Sequence, residues 1–106
     1  MHTFPNMNPK STETLSGLFK TLGDPTRLRI ISTLFPGEKC VHEISNQLNM
    51  THSAVSHQLS ILKQNHLVKY RRDGRHMRYS LDDTHVEDIL RLGILHIEHI
   101  NKELWK

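Results

Sequence analysis

Apolar residues recur at helical spacing through the first half of this chain, alternate for a short stretch, and return to helical spacing towards its end. Leu15, Leu18, Phe19 and Leu22 predict an amphipathic first helix that runs from Ser11 and closes at Gly23. Asp24 as a cap and Pro25 as a first helical residue open a second helix. Its Leu28, Ile30, Ile31 and Leu34 are expected to face inward until Pro36-Gly37 stops it. Val41, Ile44 and Leu48 form the stripe of a short third helix from about Val41, and Asn49-Met50-Thr51 makes a tight turn into a fourth helix holding Val55, Leu59 and Leu62. This is a helix-turn-helix pattern.

After His66 the period falls to two. Val68 and Tyr70 alternate with Lys69 and Arg71, and Met77, Tyr79 and Leu81 alternate with Arg78 and Ser80. Asp73-Gly74 between them predicts a type I′ two-residue hairpin, in which both central residues need positive φ. A last helix from Thr84 to about Lys102 carries Val86, Ile89, Leu90, Ile94, Ile97 and Ile100. Residues 1–10, with Pro5 and Pro9, lack a period and are expected to form a flexible arm, leaving 11–106 as one domain. The fold class is mainly α with a small β-hairpin.

A chain of 106 residues supports a single domain, and with 36% hydrophobic residues it would gain from a core shared with a second copy. Lys plus Arg is 14 against 11 for Asp plus Glu, and the pI near 9.2 suits an anionic partner without demanding one. Cys40 is the only cysteine, which excludes an internal disulfide. With no apolar leader and no long apolar run, the cytoplasm is the expected compartment and no membrane partner is expected.

Nine histidines make their placement informative. On the last helix, His85 and His96 lie about 16 Å apart along the axis, too far for one ion to join them. The eleven-residue step nevertheless returns to within about 20° of the same direction, and His99 falls close by. If the same helix of a second copy runs antiparallel, His96 and His99 of one chain meet Asp83 and His85 of the other, and twofold symmetry makes two such sites. Asp83 is out of helical phase but suits the N-cap, where its carboxylate folds over the helix start. Three nitrogens and one carboxylate oxygen, with no thiolate, suit tetrahedral Zn2+ and tolerate Co2+; copper and nickel share this donor chemistry. Imidazole must be neutral to ligate, so affinity should fall as pH drops through the imidazole range near 6.5.

The stretches Leu22-Gly23-Asp24-Pro25-Thr26-Arg27-Leu28-Arg29-Ile30, Ser53-Ala54-Val55-Ser56-His57-Gln58-Leu59 and Arg71-Arg72-Asp73-Gly74-Arg75, taken in order, resemble the ArsR/SmtB winged helix-turn-helix repressors over roughly residues 15–100. The C-terminal ligand spacing resembles the zinc- and cobalt-responsive, CzrA-type branch. The resemblance implies a winged helix-turn-helix that forms a homodimer through its N- and C-terminal helices. It also implies double-stranded operator DNA of twofold symmetry as partner, and repression relieved by metal. Matching positions imply His52, Ser53, Ser56, His57 and Gln58 as readers on the fourth helix. Arg71, Arg72 and Arg75, with His76 beside them, cluster at the hairpin tip as phosphate or minor-groove contacts, whereas Arg78 stands further off and suits a salt bridge.

His66, between the fourth helix and the wing, is either a relay from a ligating imidazole or merely a helix-end residue. A second metal site is considered at Cys40, His42 and Glu43, where relatives that sense soft metals place cysteines. With one thiol, Cys40 fits better as a small buried residue. Two other regulator readings compete: a repressor sensing a soft metal through Cys40, and a metal-independent DNA-binding regulator. The rival from another class is a small metallohydrolase; against it, four protein ligands would fill a tetrahedral shell and leave no position for an activated water.

Overall fold

The computed structural model describes residues 6–104. Five helices and three short strands follow in the order α1 (Pro9–Leu22), α2 (Pro25–Thr33), β1 (Lys39–Cys40), α3 (Val41–Leu48), α4 (His52–Gln64), β2 (Val68–Asp73), β3 (His76–Leu81) and α5 (Thr84–Leu104).

Local chemistry accounts for the helix starts. α1 begins at Pro9, two residues before the expected start, because Asn8 Oδ1 accepts the Ser11 amide at 2.8 Å and Pro9 supplies a preset first helical residue. Asp24 Oδ2 accepts the Arg27 amide at 3.0 Å, and Thr51 Oγ1 accepts that of Ala54 at 3.0 Å. Asn49 turns the chain between α3 and α4 in the left-handed region, at φ 55°, a conformation Asn tolerates better than most side chains.

The core is built from Ile30, Ile31, Leu34, Ile44, Val55, Leu59, Leu62, Leu67 and Val68, joined by Leu22 and Val86 at its margins. Val55, Leu59 and Leu62 are buried as expected, which fixes the opposite face of α4 towards solvent. Leu28 departs from the expected pattern at 39% exposed. Ile30, Ile31 and Leu34 already fill the inward arc of this short helix, and Leu28 lies to one side of it.

The sheet has three strands in the order β1-β3-β2, one more than the hairpin expected from alternation. β1 is only two residues, paired Lys39↔Tyr79 and Cys40↔Arg78. The hairpin register also differs from expectation. Asp73 pairs with His76, so the loop residues are Gly74 and Arg75. Gly74 alone has positive φ, 62°, which is the pattern of a type II′ turn rather than type I′. Arg75 therefore stands at the wing tip itself.

Asp83 caps α5, its Oδ1 accepting the amides of His85 at 2.9 Å and Val86 at 3.2 Å. Val86 and Leu90 pack on the core, while Ile89, Leu92, Ile94, Leu95 and Ile97 remain exposed, as do Leu15 and Phe19 of α1. Among the described residues no helix is long and apolar enough to cross a membrane.

Candidate nucleic-acid interface and metal centre

Burial of Val55, Leu59 and Leu62 leaves Ser53, Ser56, His57 and Ser60 on the outward face of α4, with His52 at its first turn. These short hydroxyls and an imidazole suit a helix lying in a major groove. Gln58 does not share that face. It is half-buried, and its Oε1 accepts from Arg27 Nε at 3.0 Å, so its amide ties α4 to the start of α2. Arg27 also donates from Nη1 to the Thr21 carbonyl at 3.4 Å, which extends the tie to the end of α1. At the other end of α4, the Lys63 ammonium lies 4.0 Å from the centre of the Tyr70 ring, which is close enough for a cation–π contact.

The wing separates its arginines by partner. Arg72 and Arg75 are exposed. Arg71 instead meets Glu38 through two parallel bonds of 2.8 Å, Nε to Oε2 and Nη2 to Oε1. The bidentate guanidinium holds the Glu38 carboxyl below its ordinary value. Arg78 is a salt-bridge residue as expected, 2.8 Å from Asp73 and 3.7 Å from Glu43. Arg71 thus braces the wing against the loop before β1, a role its neighbours give no sign of in sequence.

The candidate ligands divide into two sets on α5. Asp83 Oδ2 lies 3.3 Å from His85 Nδ1, and this contact comes first among those that lower the Asp83 pKa. Two ligands on one tetrahedral ion, each bound at roughly 2.0–2.1 Å, stand about 3.3 Å apart. The pair therefore has the spacing of two corners of such a site, while Asp83 Oδ1 continues to cap the helix. His96 and His99 are exposed about three turns further on, and among the described residues no three His, Cys, Asp or Glu side chains gather within one chain.

His66 is exposed and holds φ 58° just past the end of α4. The His66 amide donates to the Lys63 carbonyl at 3.0 Å and the Leu67 amide to the Leu62 carbonyl at 2.9 Å, the Schellman arrangement that usually puts glycine where His66 stands. His66 shares an open cleft of about 820 Å³ with Asp83 and His85, floored by Leu18, Leu67 and Val86.

The second set of candidate ligands does not assemble, and Cys40 takes the buried place expected of it. Cys40 is buried, 8% exposed, and Glu43 Oε1 is taken up by the Cys40 amide at 3.0 Å. That bond holds the Glu43 carboxyl below its ordinary value. The Cys40–His42–Glu43 grouping gives way to a helix cap, because a carboxylate three residues past the cap position reaches back to the capping amide.

Residues 24–70 match the family described as bacterial regulatory protein, arsR family. The chain is 41% identical to a transcriptional repressor SmtB homolog of Synechocystis over 87% of its own length and 70% of that protein's. It is 39% identical to a cadmium resistance transcriptional regulatory protein CadC homolog of Staphylococcus aureus, over 74% of its own length and 66% of that protein's. Its fold superposes with TM-score 0.81, at 25% identity, on a homodimeric winged helix-turn-helix DNA-binding domain from Mycobacterium bovis, covering 94% of this chain and 95% of that one. The chain belongs to the arsR family of bacterial regulatory proteins, a family of DNA-binding transcriptional regulators and not of enzymes.

Proposed function

We propose that this chain is a metal-responsive transcriptional repressor. It binds a twofold operator as a homodimer, reading DNA through His52, Ser53, Ser56 and His57 and touching backbone through Arg72 and Arg75. It lets go when Zn2+, or Co2+, joins Asp83 and His85 of one chain to His96 and His99 of the other. The observation that carries this reading is the Asp83–His85 pair, set 3.3 Å apart on an exposed helix face. His96 and His99 recur on the same face among unpartnered apolar residues. Exposed Ile89 and Leu92 need cover, and a second α5 brought up antiparallel supplies cover and missing ligands together. The names of relatives as repressor and cadmium resistance regulator, and the homodimeric Mycobacterium bovis domain, support the same reading.

Metal selectivity follows from the donors. A set without thiolate favours zinc over the softer ions that Cys40 would serve, and Cys40 is buried. In this reading His66 carries the response, supported by the cleft it shares with Asp83 and His85 and by its backbone closing α4.

Zinc titrated into the protein–operator complex should release DNA, with His96→Ala retaining DNA binding and losing the response. Reciprocity requires operator DNA to weaken zinc by the same factor as zinc weakens DNA. Equal operator affinity with and without zinc would leave a metal-independent regulator instead.

A further inference from the structure

Where the wing meets the helix-turn-helix there is a second cleft, of about 540 Å³, lined by Cys40, Val41, His42, His52, Arg75, His76 and Met77. On its wall His42 Nδ1, from the first turn of α3, faces His52 Nε2, from the first turn of α4, across 3.4 Å. The rings meet edge to face, with centroids 5.4 Å apart and planes at 77°. A separation of 3.4 Å is long for an N–H···N bond, and it matches two imidazole nitrogens sharing one ion at roughly 2.0–2.1 Å each.

Asn46, one turn further along α3, sets its amide nitrogen, Nδ2, 3.2 Å from the remaining His42 nitrogen, Nε2. A half-turn of that amide exchanges its nitrogen for its oxygen, which then accepts the Nε2 proton and frees the Nδ1 lone pair for an ion shared with His52. A ligating imidazole is commonly held in this way by a partner on its other nitrogen.

We propose that His42 and His52 form a second, intrachain site for a divalent first-row transition ion, clasping α3 to α4. It differs from the Cys40–His42–Glu43 set, since Glu43 is occupied in capping α3 and Cys40 lies behind the surface. Among the described residues no third His, Cys, Asp or Glu completes a shell, so water fills the other positions and the ion exchanges readily. The inference does not depend on metal binding along α5.

The test is calorimetric titration of Zn2+ into full-length protein carrying His85→Ala, His96→Ala and His99→Ala, which removes the α5 ligands. One ion per chain is expected. Adding His42→Ala or His52→Ala should abolish it, Asn46→Ala should weaken it by roughly tenfold, and Cys40→Ser should leave it unchanged. Imidazole NMR should show His42 and His52 responding together. No zinc bound by the triple variant, or binding that survives His52→Ala, would overturn the site and reduce the pair to edge-to-face packing. Loss of zinc-driven operator release in the triple variant alone would concern the α5 reading and leave this one standing.

Discussion

Arg71, Arg72 and Arg75 are near neighbours in sequence, yet the structure predicts different effects for them on DNA binding. Each phosphate neutralised by a cation contributes about 0.9 to the slope of log K against log salt concentration. In a dimer, Arg72→Ala with Arg75→Ala removes up to four such contacts. The slope should therefore become shallower by about 3.6, or about 1.8 if one arginine of each pair reaches a phosphate. Across a fourfold rise in salt the larger value corresponds to roughly a hundredfold smaller loss of affinity.

Arg71 is already neutralised by Glu38 through two 2.8 Å bonds, so Arg71→Ala should change the slope far less than Arg75→Ala. Glu38→Gln should do the reverse, steepening the slope by releasing Arg71. Fluorescence anisotropy on an operator duplex at four or five salt concentrations measures all of these. An unchanged slope in the Arg72/Arg75 double variant would take the wing off the contact surface. Equal effects of Arg71→Ala and Arg75→Ala would mean that DNA displaces Glu38, refuting the division drawn here.

Gln58→Ala should lower stability by about 1 kcal/mol in chemical denaturation, because it removes the Arg27 partner, and should leave sequence preference at the operator intact. Thr51→Ala should also cost about 1 kcal/mol by uncapping α4. Leu59→Ala, at a fully buried site, should cost about 2–5 kcal/mol by the same measurement. The Asp73 carboxyl is held below its ordinary value by Arg78, and Glu43 by the Cys40 amide. A depressed folded-state pKa gives stability that is present above the unfolded-state value, near 4, and is lost as pH falls through the folded one. Melting temperatures should therefore gain from these groups above about pH 4 and lose that gain below it, with a smaller acid-side fall in Glu43→Gln.

The parts of this fold legible in sequence are those specified by neighbouring residues. Asp24-Pro25 and Thr51 set the starts of α2 and α4 through bonds spanning three residues, and Val55, Leu59 and Leu62 declare the buried face of α4 by spacing alone. β1 left no trace because two residues cannot show a period, and its only evidence is the partner strand. The hairpin was visible but its register was not: Asp-Gly fits either the two loop residues or the last strand residue plus the first loop residue. Arg71–Glu38 and Arg27–Gln58 join residues 33 and 31 positions apart, and nothing local marks them. The shared direction of His85, His96 and His99 on α5 was legible as phase, since three imidazoles at helical spacing announce it whatever lies opposite.

His66 offers a way to separate what this site does for the fold from what it does for regulation. A side chain in the left-handed region costs roughly 1–2 kcal/mol, and glycine's greater freedom in the unfolded chain offsets about 0.5–1 kcal/mol of any gain from relieving it. His66→Gly should therefore be neutral or stabilising by up to about 1 kcal/mol, since the two Schellman bonds are made by backbone and survive the change. If the imidazole is there to pass the arrival of zinc at Asp83 and His85 to the end of α4, the same substitution should leave zinc affinity and apo DNA affinity near wild type while abolishing the factor by which each weakens the other. A merely structural His66 predicts the same stability with the coupling intact. Measuring operator affinity with and without saturating zinc, beside a denaturation curve for the same variant, decides between them; coupling retained in His66→Gly would remove the relay from the proposed mechanism.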